Sequence, residues 1–294
     1  MAYPPLAVAL NAAKMIKKRV LVDSLPFSTQ RSRMGAMLMA VRVPKGATRS
    51  IERVGGITCE VHRPVKGGID HTLMLIHGGG FCVGTPQMSR AWAAALSASF
   101  QATVVLPDYP LSPEAAFPEA ADAVGAVWEV LASRGEVGLL GDSAGANLAL
   151  GLAQKLVGTP SAPGVLVLSS PWLDLSVDRS ADATLAARDP MLSAKWLAAC
   201  ADAYAPDRLD DPGVSPLLGS LAGLPPTLVI GGTEDVLSPD LDRLVAGWEG
   251  PDPIEAEIVK GMWHDFALQV GLLKAADEAL EVTLEFLATH LSVD

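Results

Sequence analysis

Val137-Gly-Leu-Leu-Gly-Asp-Ser-Ala-Gly-Ala-Asn-Leu-Ala-Leu150 is the stretch whose reading decides the fold. Val137, Leu139 and Leu140 read as the end of a buried strand, and from Ala146 to Val157 the composition turns helical. Between them, Gly141-Asp-Ser-Ala-Gly145 centres a serine in a G-x-S-x-G pattern at a strand-to-helix junction. So sharp a turn presses strand and helix backbones together, which calls for residues without a Cβ two positions either side of the serine. Ser143 is then expected at the tip, exposed, at the start of a helix whose free N–H groups favour developing negative charge.

Outward from this turn, short apolar strands alternate with helical stretches. Strands are read at Thr72–Ile76, Thr103–Leu106, Gly164–Leu168, Thr227–Ile230 and Glu255–Val259. Helices are read at 88–100, 114–133, 144–157, 238–248 and from about Leu272 to His290. Ile51–Val54 and Ile57–His62 alternate around Gly55-Gly56 as a hairpin. The alternation predicts an α/β protein with a mostly parallel central sheet, buried on both faces and flanked by helices.

Two segments stand outside that rhythm. About 58 residues separate the strands ending at Leu168 and starting at Thr227, too many for an ordinary connection, with a helix read at 190–205. Such an insertion emerges beside the carboxyl ends of strands, where a lid belongs. Residues 4–43 read as helical, with Leu6, Leu10, Ala13 and Lys17 continuing towards Leu21, and a second stripe of Met34, Met37, Leu38 and Val41. The flexible thioethers suit either ordinary packing or an adaptable flap over a substrate.

Acyl transfer at a serine needs an imidazole base, an acid to orient it and N–H donors for the oxyanion. At a strand-turn-helix serine the partners follow in the order acid, then histidine. Only His264 and His290 come after Ser143, and His290 lies near the end of the last helix. His264, in the loop Gly261-Met-Trp-His-Asp-Phe266, is the candidate base. Asp235, directly after the strand Thr227–Ile230, is the candidate acid. Glu234 is its near rival, and Asp265 is disfavoured because it adjoins the histidine it would orient. His77-Gly-Gly-Gly-Phe81 follows the strand 72–76, and Gly79, Gly80 and Ala144 are the candidate oxyanion donors. His77, Gly78 and Asp142 are expected to support these loops. Without a Lys or Ser/Thr in register after it, the tri-glycine is not a phosphate cradle. The chemistry requires no cofactor and no metal.

The chain has 294 residues, 50% of them hydrophobic and 19% charged, enough for one large α/β domain with an accessory part. Its net charge of −11 argues against nucleic-acid binding. Residues 1–53 nevertheless carry ten Lys/Arg against two Asp/Glu, a local +8 that leaves the remainder at −19. This basic segment reads as a solvated face; docking on the acidic body, and contact with an anionic membrane, are the sharper alternatives. No stretch reads as a transmembrane helix, and the apolar N-terminal part precedes its basic cluster, unlike a secretory signal. Cys59, Cys82 and Cys200 show no metal-ligand spacing and favour reduced thiols in a cytoplasm. The sequence leaves a homodimer open.

Taken together, His77-Gly-Gly-Gly-Phe81, Asp108-Tyr-Pro-Leu-Ser-Pro-Glu114 with Phe117-Pro118, Gly141-Asp-Ser-Ala-Gly145, Asp189-Pro-Met-Leu192, Asp235-Val-Leu237 and His264 before Phe266 resemble one family. It is the hormone-sensitive-lipase-like branch of the α/β-hydrolase carboxylesterases, the bacterial family IV with a G-D-S-A-G signature. The resemblance implies an α/β-hydrolase fold and a serine carboxylesterase acting on small-molecule esters, often with short-to-medium acyl groups. It also implies Ser143, Asp235 and His264 as triad, and Gly79, Gly80 and Ala144 as oxyanion donors. A helical cap would be built from residues 1–48 and an insertion at about 175–209, on a catalytic body of residues 49–294. The chain departs from the family at Ala146, where a second glycine is usual, and at Pro110, where an arginine is usual. A lactone, aryl-ester or amide hydrolase on the same triad, and a ligand-binding protein on a hydrolase fold, are the alternative readings.

Overall fold

A computed structural model describes residues 3–39, 41–67 and 71–291. Ala40, inside the segment read as helical, lies outside the described residues, as do Met1 and Ala2 of the expected cap. Eight strands form one sheet: β1 (Ala47–Val54), β2 (Ile57–Pro64), β3 (Thr72–Ile76), β4 (Thr103–Pro107), β5 (Val137–Asp142), β6 (Val165–Ser169), β7 (Thr227–Gly232) and β8 (Glu255–Val259). Their order is β1-β2-β4-β3-β5-β6-β7-β8. The β1–β2 and β2–β4 pairs are antiparallel and all others parallel. This is the mostly parallel sheet that the strand-helix alternation predicts, and its strand order agrees with the fold that the family resemblance implies.

Successive residues of the inner strands face opposite cores. Met74, Ile76, Leu139 and Leu168 pack on one side with Val124 and Trp128 of α4 (Glu119–Ala132) and Leu150 of α5 (Ala144–Leu156). Leu73, Leu75, Leu140 and Val167 pack on the other with Trp92 of α3 (Pro86–Phe100) and Leu287 of α9 (Lys274–His290). Burial on both faces explains why these strands read as bare apolar runs. The edge strand β8 departs from the expectation: Glu255, Ala256 and Ile258 are exposed at the margin of the sheet.

Connections leave β3 for β4 on one side, while β5 lies on the other, so the strand order reverses at β3/β5. Loops after these two strands splay apart there and open a crevice at their carboxyl ends. α1 (Leu6–Arg19) and α2 (Phe27–Leu38) precede the sheet; α6 (Ala183–Arg188) and α7 (Ala194–Tyr204) occupy the insertion before β7, and α8 (Ser238–Ala246) follows β7.

Three further sequence expectations change. The insertion holds two helices rather than one, the first capped by the Asp182 carboxylate accepting from Leu185 N–H. Helix α4 starts at Glu119 instead of residue 114, after the prolines at 113 and 118. On α1 the buried stripe is Ala9 and Ala13, while Leu6 is 51% exposed. The helix turns its small residues inward, which lets it lie close to the crevice. No helix among the described residues is long and apolar enough to cross a membrane.

Candidate active site

Ser143 stands between β5 and α5 with φ 53° and ψ −117°, a left-handed backbone costing roughly 1–3 kcal/mol in a residue with a Cβ. Packing holds it there. A Cβ on Gly145 would lie 2.0 Å from the carbonyl oxygen of Ile76, and one on Gly141 would lie 2.4 Å from that of Gly145. These contacts are the steric reason for glycine at both positions. The Ser143 N–H donates to the Ser169 carbonyl at 2.9 Å, fixing the turn against β6. Contrary to the expectation of an exposed tip, Ser143 is only 4% exposed, because the flanking helices close over it.

The three widely separated candidates meet. Ser143 Oγ lies 2.9 Å from His264 Nε2, and Asp235 Oδ2 lies 3.0 Å from His264 Nδ1. In the tautomer this favours, Nδ1–H donates to Asp235 and Nε2 accepts the serine proton. Asp235 is held in turn: its Oδ1 accepts the Leu237 N–H at 2.8 Å. Burial works to lower the proton affinity of His264, but Asp235 and Asp265 outweigh it and hold the imidazole well above its ordinary value. Glu234 does not reach the ring; it pairs with Arg188 at 2.5 Å near the surface. Asp265 does reach it, at Nε2 rather than Nδ1, with Oδ2 3.3 Å away.

The tri-glycine turn faces the serine. Gly79 has φ +106°, and a Cβ there would strike the Gly84 backbone at 2.4 Å. The N–H groups of Gly79, Gly80 and Ala144 donate to no protein acceptor among the described residues. Such unengaged donors near a nucleophile are what an oxyanion requires. Asp142 supports this turn: its Oδ2 accepts the Gly78 N–H and its Oδ1 the Ser89 hydroxyl, both at 2.7 Å. Burial, with repulsion from Asp265, pushes the Asp142 carboxyl up to about 8 despite those two hydrogen bonds.

His77 stacks on Tyr109 at 4.2 Å, its Nδ1–H donates to the Gly78 carbonyl at 2.9 Å, and the Tyr109 hydroxyl donates to the His77 carbonyl. Burial lowers the proton affinity of His77 to a pKa of about 4, so it is neutral near pH 7 and serves as a brace. Cys82 is a fully buried neighbour of the turn.

Two further buried residues tie the site together: Asp189, whose motif carried the resemblance but no role, and Gln30, which the sequence did not mark. Asp189 Oδ1 accepts the Met191 and Leu192 N–H groups while its Oδ2 accepts the Val236 N–H, tying the insertion to the Asp235 loop. Gln30 on α2 donates to the Val22 and Leu25 carbonyls and accepts from the Trp196 indole of α7 at 2.8 Å. The basic segment is also partly engaged. Lys17 donates to the Asp189 carbonyl at 2.7 Å, and Arg31 bonds the Cys82 and Ser112 carbonyls and the Glu114 carboxylate. Lys14, Lys18 and Arg19 remain exposed, so the solvated and docked readings each hold for part of it.

A cavity of about 170 Å³ opens from Ser143 and His264, walled by Ala13 and Ile16 of α1, Met34 and Leu38 of α2, and Trp196 of α7. Its lining is mostly apolar and suits an acyl chain. A larger groove of about 460 Å³ lies elsewhere, along Leu148, Gln154 and Ser220, and touches none of the candidate residues. Among the described residues no cluster of His, Cys, Asp or Glu could hold a metal ion.

Fold and site thus define a hydrolase of the α/β class. Residues 73–268 match the α/β hydrolase fold family. The chain is 37% identical over 227 residues to an esterase of Acinetobacter venetianus, covering 74% of this chain and 75% of that one. It is 35% identical over 255 residues to an acetyl-hydrolase of Streptomyces hygroscopicus, covering 84% of each. A crystal structure of a hormone-sensitive lipase from a metagenome library superposes with a TM-score of 0.89 at 26% identity, covering 99% of this chain and all of the other. The protein belongs to the α/β-hydrolase family, in its hormone-sensitive-lipase-like branch, and is a carboxylic ester hydrolase.

Proposed function

We propose that the protein is a serine carboxylesterase that hydrolyses short-to-medium acyl esters through an acyl-enzyme on Ser143. The observation that carries this reading is the pair of contacts on one imidazole, 2.9 Å to Ser143 Oγ and 3.0 Å to Asp235 Oδ2. His264 Nε2 takes the serine proton as Oγ attacks the ester carbonyl. The oxyanion is met by the N–H groups of Gly79, Gly80 and Ala144, and Asp235 stabilises the imidazolium. His264 returns the proton to the departing alkoxide, leaving acyl-Ser143 and free alcohol. Water, deprotonated by the same nitrogen, then attacks the acyl-enzyme, and serine leaves with the proton.

The acyl-length reading is supported by the small apolar cavity and by the acetyl-hydrolase relative. Residues 1–48 and about 175–209 act as a cap on the body of residues 49–294, which agrees with α1, α2 and α7 all contributing cavity walls. We further infer a cytoplasmic location, a reading supported by the three free, buried cysteines. Replacing Ser143 with Ala is expected to reduce turnover of p-nitrophenyl acetate and butyrate to background with an unchanged circular dichroism spectrum. Turnover retained in that variant would overturn the reading.

A further inference from the structure

We propose that Asp265 is a second acid on His264, acting at the nitrogen that moves the serine proton, and that it shifts the working range of the enzyme to higher pH. The proposal rests on the reading of Ser143 as nucleophile and His264 as base. Asp265 Oδ2 lies 3.3 Å from His264 Nε2, the same atom that lies 2.9 Å from Ser143 Oγ. Its other oxygen, Oδ1, is buried and has no hydrogen-bond partner among the described residues. Asp265 is 7% exposed, lines the cavity, and forms no ion pair with any Lys or Arg among the described residues. Among the described residues, His264 is therefore the one cationic partner it pairs with.

The carboxylate is held in this position. Its backbone is left-handed (φ 55°), its N–H donates to the Ser170 hydroxyl at 2.9 Å, and a 3₁₀ turn at Phe266–Leu268 follows directly. Adjacent side chains of an ordinary extended loop point apart; the positive φ turns this one back towards the ring.

The chemistry has a definite sign. A neutral imidazole that donates from Nδ1 to Asp235 presents a lone pair at Nε2, and a carboxylate oxygen 3.3 Å away gains nothing from it. Imidazolium presents N–H there, and both Asp265 and the serine oxygen accept from it. Asp265 thus favours the protonated ring. In the free enzyme that proton must go to solvent before Ser143 can be deprotonated, which moves the acidic limb of activity upward. Within the tetrahedral intermediate the same contact stabilises the imidazolium that has just formed.

Other groups face the ring from each surrounding element: Asp142 at the end of β5, Asp235 after β7 and Asp189 before α7. Beyond them lie Lys17, bonded to the Asp189 carbonyl, and Arg42 on the cavity wall. Of the acids, Asp265 is the one that shares Nε2 with the nucleophile.

Asn and Gly both tolerate the left-handed backbone, so Asp265→Asn and Asp265→Gly remove the charge without strain. Two readouts apply to the full-length protein: the pH profile of kcat/KM for p-nitrophenyl acetate, and the titration of the His264 ring followed by ¹⁵N NMR, assigned against His264→Gln. In both variants the acidic limb and the ring titration are expected to move down by about one pH unit, a tenfold loss of proton affinity. A ring titration displaced by less than about half a unit in both variants, or a displaced titration with an unmoved limb, overturns the proposal. If Ser143→Ala retains full turnover, the reading of the triad falls instead; the ring titration, which needs no turnover, then decides the Asp265 contact by itself.

Discussion

Exchanging Gln30 for Met keeps the volume of a fully buried side chain while removing three hydrogen bonds, to Val22, Leu25 and Trp196. At about 1–1.5 kcal/mol net for each bond, and with their partners left buried, the loss is roughly 3–4.5 kcal/mol. For a domain of this size that corresponds to a fall in melting temperature of about 5–7 °C. The damage should reach the chemistry, because a Cβ on Gly80 would lie only 2.7 Å from the Trp196 ring, so the indole buttresses the turn that holds a proposed oxyanion donor. Thermal unfolding followed by circular dichroism reads the first effect. Initial rates on p-nitrophenyl esters from acetate to decanoate read the second, with a lower kcat throughout and weakened discrimination by chain length. A variant that melts within about 2 °C of the wild type and keeps its acyl profile would refute the role given to this latch.

Further outcomes follow from the same geometry. Gly145→Ala places a Cβ 2.0 Å from the Ile76 carbonyl oxygen, and the variant should lose more than about 4 kcal/mol or fail to accumulate as soluble protein. Asp235→Asn should lower kcat by about 10³–10⁴ with little change in KM, measured on p-nitrophenyl acetate. Glu60 offers a test by pH. Burial raises its proton affinity, but hydrogen bonds from His62 and Arg90 outweigh this and lower its pKa to about 2. The stabilisation is present above the usual glutamate value and lost as pH falls through 2. Glu60→Gln should therefore be less stable than wild type by up to about 3 kcal/mol at pH 7, a gap that urea titrations should show closing towards pH 2.

Much of this was legible in the sequence because the relevant constraints are local or ordered along the chain. Apolar runs buried on both faces marked β3 to β7, and the glycines at 141 and 145 marked a close approach of strand and helix. Chain order left His264 as the one histidine after Ser143 outside a terminal helix, and the structure sets its ring between Ser143 and Asp235. What escaped depends on contacts between distant segments or on backbone torsions. Residue type alone does not reveal that Gln30 meets Trp196, 166 positions away. Nor does it reveal that Asp265 adopts positive φ, which brings to Nε2 a side chain that adjacency had argued against. The stripe read on α1 held at Ala13 and Leu21 but not at Leu6, because the helix faces the crevice with Ala9 and Ala13, whose apolar signal is weaker than that of a leucine.

The acyl-enzyme on Ser143 is the claim on which the remainder depends, and covalent labelling tests it most directly. A fluorophosphonate should inactivate the enzyme in proportion to its incorporation, and peptide mass spectrometry should find a single adduct, on Ser143. Continued ester turnover with Ser143 unmodified, or an adduct placed on a different residue, would contradict the account.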